Sequence, residues 1–325
     1  MNNKIHFIGR HIKKDNKEYF AYSGCGFEFT LKPSKDEFSF SLKLISELRE
    51  HDAQYLNIYV NDELYSQDKL VEGSHTIKVS LKSSKTTFIR VIKINEVYLS
   101  SLYLEDIVLE NAEFIDIKPS NKKHIGFFGD SVTCGYGLLD LHGNEFKMET
   151  EDFTKTYAYL ACFALNLEYS VVARSGISMA ITIWCDKLFE EIYDTVDMYE
   201  KCPVEHKLDY AVINLGANDN SGYGQSQDRD AALKTFKERY IHFVDRLIKD
   251  NPNVKLVICY KILPLVDEIT NTIKEVYKEV ISRYSNKIVL LEFITNQDGA
   301  NFHPYLTAHK ENANRLVDVI KKLEN

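Results

Sequence analysis

The chain has 325 residues and a formal net charge of −8, with 44% hydrophobic and 27% charged positions. That is the composition of a globular chain able to bury a real core. Its acidity argues against nucleic acid as a partner, and no apolar run approaches the ~18–20 residues that span a bilayer.

The chain begins Met1-Asn2-Asn3-Lys4-Ile5, without the charged start and apolar stretch of a secretory signal. The expectation is a cytoplasmic protein, or a secreted one if a leader has been removed. From Ile5 to about Ile117 the pattern is all-β. Tyr19–Ser23, Gly26–Leu31, Glu37–Leu44, Tyr55–Val60, His75–Leu81 and Thr86–Ile94 are short segments rich in aromatic and β-branched residues. In Phe27-Glu28-Phe29-Thr30-Leu31 the apolar side chains fall on one face. Ser23-Gly24, Lys32-Pro33-Ser34, Asn61-Asp62 and Glu72-Gly73-Ser74 supply turns. This punctuation predicts a β-sandwich of jelly-roll type over residues 1–118. The polar, proline-broken stretch Lys118-Pro119-Ser120-Asn121-Lys122-Lys123 reads as a domain boundary.

A second domain is expected over 124–325. Ile125–Phe128, Tyr169–Ala173, Tyr210–Leu215, Val254–Tyr260 and Ile288–Phe293 are near-continuous apolar runs, the signature of strands buried on both faces. Helical stretches alternate with them: Thr156–Asn166, Ala231–Asp250, Glu268–Tyr284 and a last helix from Pro304. The prediction is an α/β fold, a flavodoxin-like five-stranded parallel sheet in order 2-1-3-4-5 with helices on both faces.

In that order the loop after the first strand lies between the loops after the second and third. The first reads Gly129-Asp130-Ser131 and exposes one hydroxyl at the carboxyl edge of the sheet. Its neighbours read Arg174-Ser175-Gly176-Ile177-Ser178 and Gly216-Ala217-Asn218-Asp219-Asn220. The N–H groups of Ser131 and Gly176 and the side-chain amide of Asn218 can then form a three-donor oxyanion hole. After the fifth strand, His303 precedes Pro304, a residue suited to the first helical position, and its imidazole can take the serine proton.

Plainer roles exist for each residue. Ser131 can cap a helix, Asn218-Asp219-Asn220 can be a turn cluster, and Gly176 can serve a positive φ. Asp130 is read as holding its loop by local hydrogen bonds. His124, His142 and His309 are read as surface or packing residues. Trp184 is either core or an apolar wall against a ligand, and Tyr136, Tyr223 and Tyr305 are candidates to line a cleft. The six cysteines are scattered without a C-x-x-C pair, the glycine-rich Gly129–Gly137 lacks the Lys-Ser/Thr of a P-loop, and H-E-x-x-H is absent. A hydrolase without metal or cofactor is the simpler account.

Taken in order, Gly129-Asp130-Ser131, Gly176, Gly216-Ala217-Asn218-Asp219 and His303-Pro304 resemble the blocks of the SGNH, or GDSL-type, hydrolase superfamily. Phe7-Ile8-Gly9-Arg10, Ser23-Gly24-Cys25-Gly26-Phe27-Glu28-Phe29 and Glu72-Gly73-Ser74-His75-Thr76 resemble the jelly-roll half of carbohydrate esterase family 2. The resemblance implies a serine esterase that removes acetyl groups from carbohydrate hydroxyls through an acyl-enzyme, acting on an acetylated oligo- or polysaccharide. It implies Ser131 as nucleophile, His303 as general base, and Ser131, Gly176 and Asn218 as oxyanion donors. The superfamily's acid, three residues before the histidine, is here Ala300. Asp298, five before His303, orients the imidazole if the loop bulges; otherwise a backbone carbonyl or water holds the ring in a Ser-His dyad. A sugar O-acyltransferase using the same serine, and a non-catalytic glycan-binding protein, are the alternatives.

Overall fold

The computed structural model describes residues 4–49, 51–117, 120–202, 207–285 and 287–324. The chain divides into two compact units, Met1–Asn121 and Lys122–Asn325. Of the boundary segment read from the sequence, Lys118 and Pro119 lie outside the described residues.

The first unit contains two antiparallel sheets. One has the order β1 (His6–Ile8), β4 (Gly26–Pro33), β9 (Thr87–Lys93), β6 (Gln54–Val60), β7 (Glu63–Leu70), with β11 (Ala112–Ile115) also on β4. The other has the order β2 (Ile12–Lys14), β3 (Lys17–Phe20), β10 (Ser100–Glu110), β5 (Glu37–Leu48), β8 (Gly73–Lys82). The alternation in β4 buries Phe27, Phe29 and Leu31, and Phe29 meets Phe40 of the opposite sheet edge-on at 5.4 Å.

Strands β1, β2, β7, β10 and β11 were not expected from the sequence. β10 has a register shift between Leu104 and Asp106, so Leu102, Leu104 and Ile107 all point inward and the period-2 signal breaks. β7 is a polar edge strand, reached through an Asn61-Asp62 turn in which both residues have positive φ (51° and 66°).

The second unit is a parallel sheet in the order β13 (Glu168–Ala173), β12 (His124–Gly129), β14 (Tyr210–Asn214), β15 (Lys255–Tyr260), β16 (Ile288–Glu292). This is the expected 2-1-3-4-5 order, and every residue of β12 and β14 is buried. The unit's helices are α1 (Ser131–Cys134), α2 (Tyr157–Leu165), α3 (Phe189–Ile192), α4 (Ala217–Gln225), α5 (Arg229–Asp250), α6 (Asp267–Arg283) and α7 (Leu306–Glu324). Helix α7 starts two residues beyond Pro304, with the Tyr305 carbonyl accepting from the N–H groups of Ala308 and His309. Its apolar stripe buries Ala313, Leu316, Val317, Ile320 and Leu323. Among the described residues no helix is long and apolar enough to cross a membrane.

His309, on the buried face of α7, is a core histidine: its Nδ1 accepts from the Tyr157 N–H at 3.2 Å, at the start of α2. Burial pushes its pKa down from 6.5 to about 3. The unfolded chain therefore takes up a proton that the folded state refuses, and stability falls as pH drops from about 6.5 toward 3. The variant His309→Asn, which keeps an acceptor for Tyr157, is expected to show a shallower fall in thermal midpoint between pH 7 and 4. A fall as steep as wild type in that titration would contradict this account.

Candidate active site

Gly129 of β12 pairs with Ala173 of β13 on one side and with Asn214 of β14 on the other. Three strands thus end level, and the segments that follow leave the same edge of the sheet side by side.

The central segment is shaped by three residues in a row. A side chain at Gly129 would place its Cβ 2.0 Å from Thr133 Oγ1, so only glycine lets α1 fold back on the strand. Asp130 is the cap, accepting from the Val132 N–H at 3.0 Å, as its local role predicted. Ser131 is therefore the first helical residue rather than the cap. Its backbone N–H has no protein acceptor among the described residues, as befits a first-turn position.

On one flank, Gly176 has φ +77°, and a Cβ there would come within 2.6 Å of the Trp184 Cβ. Both conformation and space demand glycine. Its N–H also lacks a protein acceptor among the described residues. On the other flank, Gly216 (φ +119°) turns β14 into α4, whose second residue is Asn218. The Asn218 amide donates to the Ile177 carbonyl at 2.9 Å, which fixes the side chain against the Gly176 loop and leaves its second N–H to donate elsewhere.

Asp219 joins these two flanks. Its buried carboxylate accepts from the N–H groups of Met179 (2.9 Å), Ala180 (2.8 Å) and Ile181 (2.9 Å). Burial pushes its pKa up to about 6, against the lowering pull of the three donors. The sequence reading assigned Asp219 no role; the signal available was a carboxylate directly after a buried strand, with no cation nearby in the chain. The plainer role open to Asn218-Asp219-Asn220, a turn cluster, is not what forms: the three lie in helix α4, although Asn and Asp are poor helix formers.

His303 lies across from the serine. Its Nε2 is 2.8 Å from Ser131 Oγ and its Nδ1 is 3.0 Å from the Asn301 carbonyl oxygen. A carbonyl only accepts, so Nδ1 carries the proton and Nε2 accepts from the serine hydroxyl. Burial lowers the His303 pKa to about 4, although the Asn301 and Ala300 carbonyls pull the other way. The ring is neutral at neutral pH and free to take a proton.

Asp298 does not occupy the orienting position. Its carboxylate accepts from the Asn296 side-chain amide, while its carbonyl accepts from the His142 N–H at 2.7 Å. Asn301 (φ 49°) and Phe302 (φ 62°) are both left-handed, and the loop turns a main-chain carbonyl toward the ring, the alternative left open to Asp298. A main-chain acceptor has no residue signature, so Asn301 could not be singled out from the sequence.

The remaining candidates fall at the rim or in the core. Trp184 is 63% exposed and Phe302 58% exposed, so neither is core. The Tyr136 ring lies 4.4 Å from that of His303, and Tyr223 is buried in α4. His142, exposed, packs edge-on against Phe302 at 4.5 Å. All six cysteines are buried and none is in a disulfide, and among the described residues no group of three or more His, Cys, Asp or Glu is arranged to hold a metal ion.

A neutral Ser-His pair at the carboxyl edge of a five-stranded parallel sheet, flanked by unpaired N–H donors, has the geometry that a serine hydrolase requires. Residues 127–320 match the GDSL-like lipase/acylhydrolase family, and the chain belongs to that family. Two curated relatives are similar to it. The cellulase/esterase CelE of Acetivibrio thermocellus is 26% identical over 221 residues, covering 63% of this chain. The chain spans about a quarter of the length of that relative (26%). An acetylxylan esterase/glucomannan deacetylase of Cellvibrio japonicus is 20% identical over 332 residues, covering 98% of this chain and 88% of the relative. Among solved structures, a family two carbohydrate esterase from Clostridium thermocellum, in complex with cellohexaose, superposes with a TM-score of 0.87. It is 20% identical, with 98% of each chain covered, and it shares the fold.

Two substitutions separate the carboxylates. Asp298→Ala is expected to leave kcat on a chromogenic acetate ester within about threefold of wild type, since it removes nothing that touches the ring. Asp219→Ala strands one buried N–H donor and two half-buried ones, and is expected to lower the thermal midpoint together with kcat, at a cost of about 1–3 kcal/mol for the buried group left unpaired. A large kcat loss for Asp298→Ala would return that residue to the orienting position.

Proposed function

We propose that this protein is a serine esterase that removes acetyl groups from carbohydrate hydroxyls through an acyl-enzyme intermediate. The hydrogen bond of 2.8 Å between Ser131 Oγ and His303 Nε2, with Nδ1 already committed to a carbonyl, carries the reading.

Ser131 Oγ attacks the ester carbonyl carbon while its proton passes to Nε2 of His303. The carbonyl oxygen becomes an oxyanion and accepts from the N–H groups of Ser131 and Gly176 and from the Asn218 amide. Collapse of the tetrahedral intermediate breaks the bond to the sugar oxygen, which leaves with the proton from Nε2. Water then gives a proton to the same nitrogen and attacks the acetyl-serine; the bond to Ser131 Oγ breaks, Oγ takes the proton back from Nε2, and acetic acid departs and ionises to acetate. The exposed Trp184, directly beside the Gly176 turn, and the exposed Phe302, directly before His303, offer apolar faces of the kind that pyranose rings stack on. That CelE is a cellulase/esterase and the Cellvibrio japonicus relative an acetylxylan esterase/glucomannan deacetylase supports a carbohydrate acetyl ester as substrate.

The test is turnover of a chromogenic acetate ester and of acetylated xylan by wild type, Ser131→Ala and Asn218→Ala. Ser131→Ala is expected to abolish turnover, and Asn218→Ala to lower kcat by about 10²–10³ with the fold retained. Product analysis with a free acceptor sugar distinguishes hydrolysis from acyl transfer. Wild-type release that does not depend on Ser131 would overturn the reading.

The pH profile follows from the ring. The base works only when neutral, and its pKa is depressed to about 4. Activity is therefore expected to persist as pH falls through 6.5 and to be lost only as it passes about 4. An acid limb of kcat/KM centred at 6.5 would show a ring exposed to water instead.

A further inference from the structure

With no carboxylate on Nδ1, the aim of the imidazole depends on whatever fixes the Asn301 carbonyl. Asn301 sits in a left-handed conformation (φ 49°, ψ 38°), tied by its N–H to the Asn144 carbonyl at 3.1 Å. Its side-chain amide donates to the Tyr136 hydroxyl at 3.1 Å. Tyr136 stands between Gly135 (φ 92°) and Gly137 (φ 63°), immediately after the one-turn helix that carries the serine. Its own N–H donates to the Ser131 carbonyl at 3.0 Å.

The four bonds close on themselves. Ser131 Oγ–H donates to His303 Nε2, and His303 Nδ1–H donates to the Asn301 carbonyl. Asn301 Nδ2–H donates to Tyr136 Oη, and Tyr136 N–H returns to the Ser131 carbonyl. The Tyr136 ring also walls the imidazole at 4.4 Å and stacks on Phe146 at 4.0 Å with 15° between planes.

We propose that Tyr136 is a positioning residue: through Asn301 it holds the main-chain carbonyl on His303 Nδ1, and so takes over the orienting part of the missing carboxylate's work. It acts through Asn301 and the imidazole face, one bond removed from the serine–histidine pair. The inference rests on the reading of His303 as the general base.

The test compares Tyr136→Phe, Asn301→Gly, Asn301→Asp and the double variant Tyr136→Phe/Asn301→Gly, with Ser131→Ala alongside. Glycine keeps the left-handed backbone and its carbonyl while losing the side chain. Each of Tyr136→Phe and Asn301→Gly is expected to lower kcat on the chromogenic acetate about tenfold with KM unchanged, as for an interaction felt in the transition state. The double variant is expected to fall no further than the worse single one, because both cut the same circuit. In Asn301→Asp the Tyr136 hydroxyl can donate to the new carboxylate, which is expected to restore most of kcat. Nitrogen-15 spectra of the His303 ring give a readout independent of turnover. Wild type and Asn301→Asp are expected to hold the Nδ1–H tautomer, and the other variants a mixture. An unchanged tautomer with kcat within about twofold of wild type in Tyr136→Phe would overturn the proposal, as would additive losses in the double variant. Turnover that survives Ser131→Ala would instead remove the esterase reading, and the ring spectra would still decide whether the circuit sets the tautomer.

Discussion

The level ending of three parallel strands is the constraint on which everything at the site depends. Gly129, Ala173 and Asn214 share a register, so the segments carrying Ser131, Gly176 and Asn218 start from one line about 5 Å apart strand to strand. No long loop has to find its place, and each donor is set within a few residues of a strand end. What remains adjustable is rotation of the Gly176 loop relative to α4, and the buried Asp219 removes it by binding three consecutive N–H groups of residues 179–181. A carboxylate is well matched to that task, since it presents enough lone pairs to accept all three bonds at once.

The opposite wall of the site uses a different economy. Where an acid would hold the imidazole by charge, Asn301 holds it by a neutral carbonyl, and burial keeps the ring's pKa near 4. A ring of that pKa is a weak base when neutral and a strong acid once protonated. In the esterase proposed above, that would favour expulsion of a poor alkoxide leaving group over activation of the serine, whose attack would then draw on geometry and on the N–H donors.

Much of the fold is legible in the sequence because burial on both faces leaves an unambiguous trace. Ile125–Phe128 or Val254–Tyr260 can hardly be anything but inner strands of an α/β sheet, and alternation with helices orders them. The elements that left no trace did so for separate reasons. The bulge in β10 moves its apolar residues out of step, and β7 at a sheet edge has few apolar positions to show. Helix α4 is built from poor helix formers and is held by what it binds rather than by propensity. At the site, side chains that must be particular residue types (Ser131, Gly176, Asn218 and His303) were visible as candidates. The Asn301 carbonyl was not, since any residue has one. Asp298 drew attention for the complementary reason: a carboxylate near a histidine looks like its partner until the backbone is seen to turn the other way.

That turn is itself informative. Asn tolerates a left-handed backbone, but Phe302 at φ 62° is a bulky residue in a conformation that ordinarily costs of order 1–3 kcal/mol. The two consecutive left-handed residues do two things at once: they swing the Asn301 carbonyl onto Nδ1 and leave the Phe302 ring largely exposed beside His142. A relaxed backbone there would have to surrender at least one of these. The bonds of Ala300 N–H to the Gly137 and Asp140 carbonyls and of Asn301 N–H to the Asn144 carbonyl hold the strained pair in place. The segment that follows Ser131 thus supplies the scaffold for the histidine loop. Serine and histidine, 172 residues apart in the chain, are brought to register by the same short stretch of backbone.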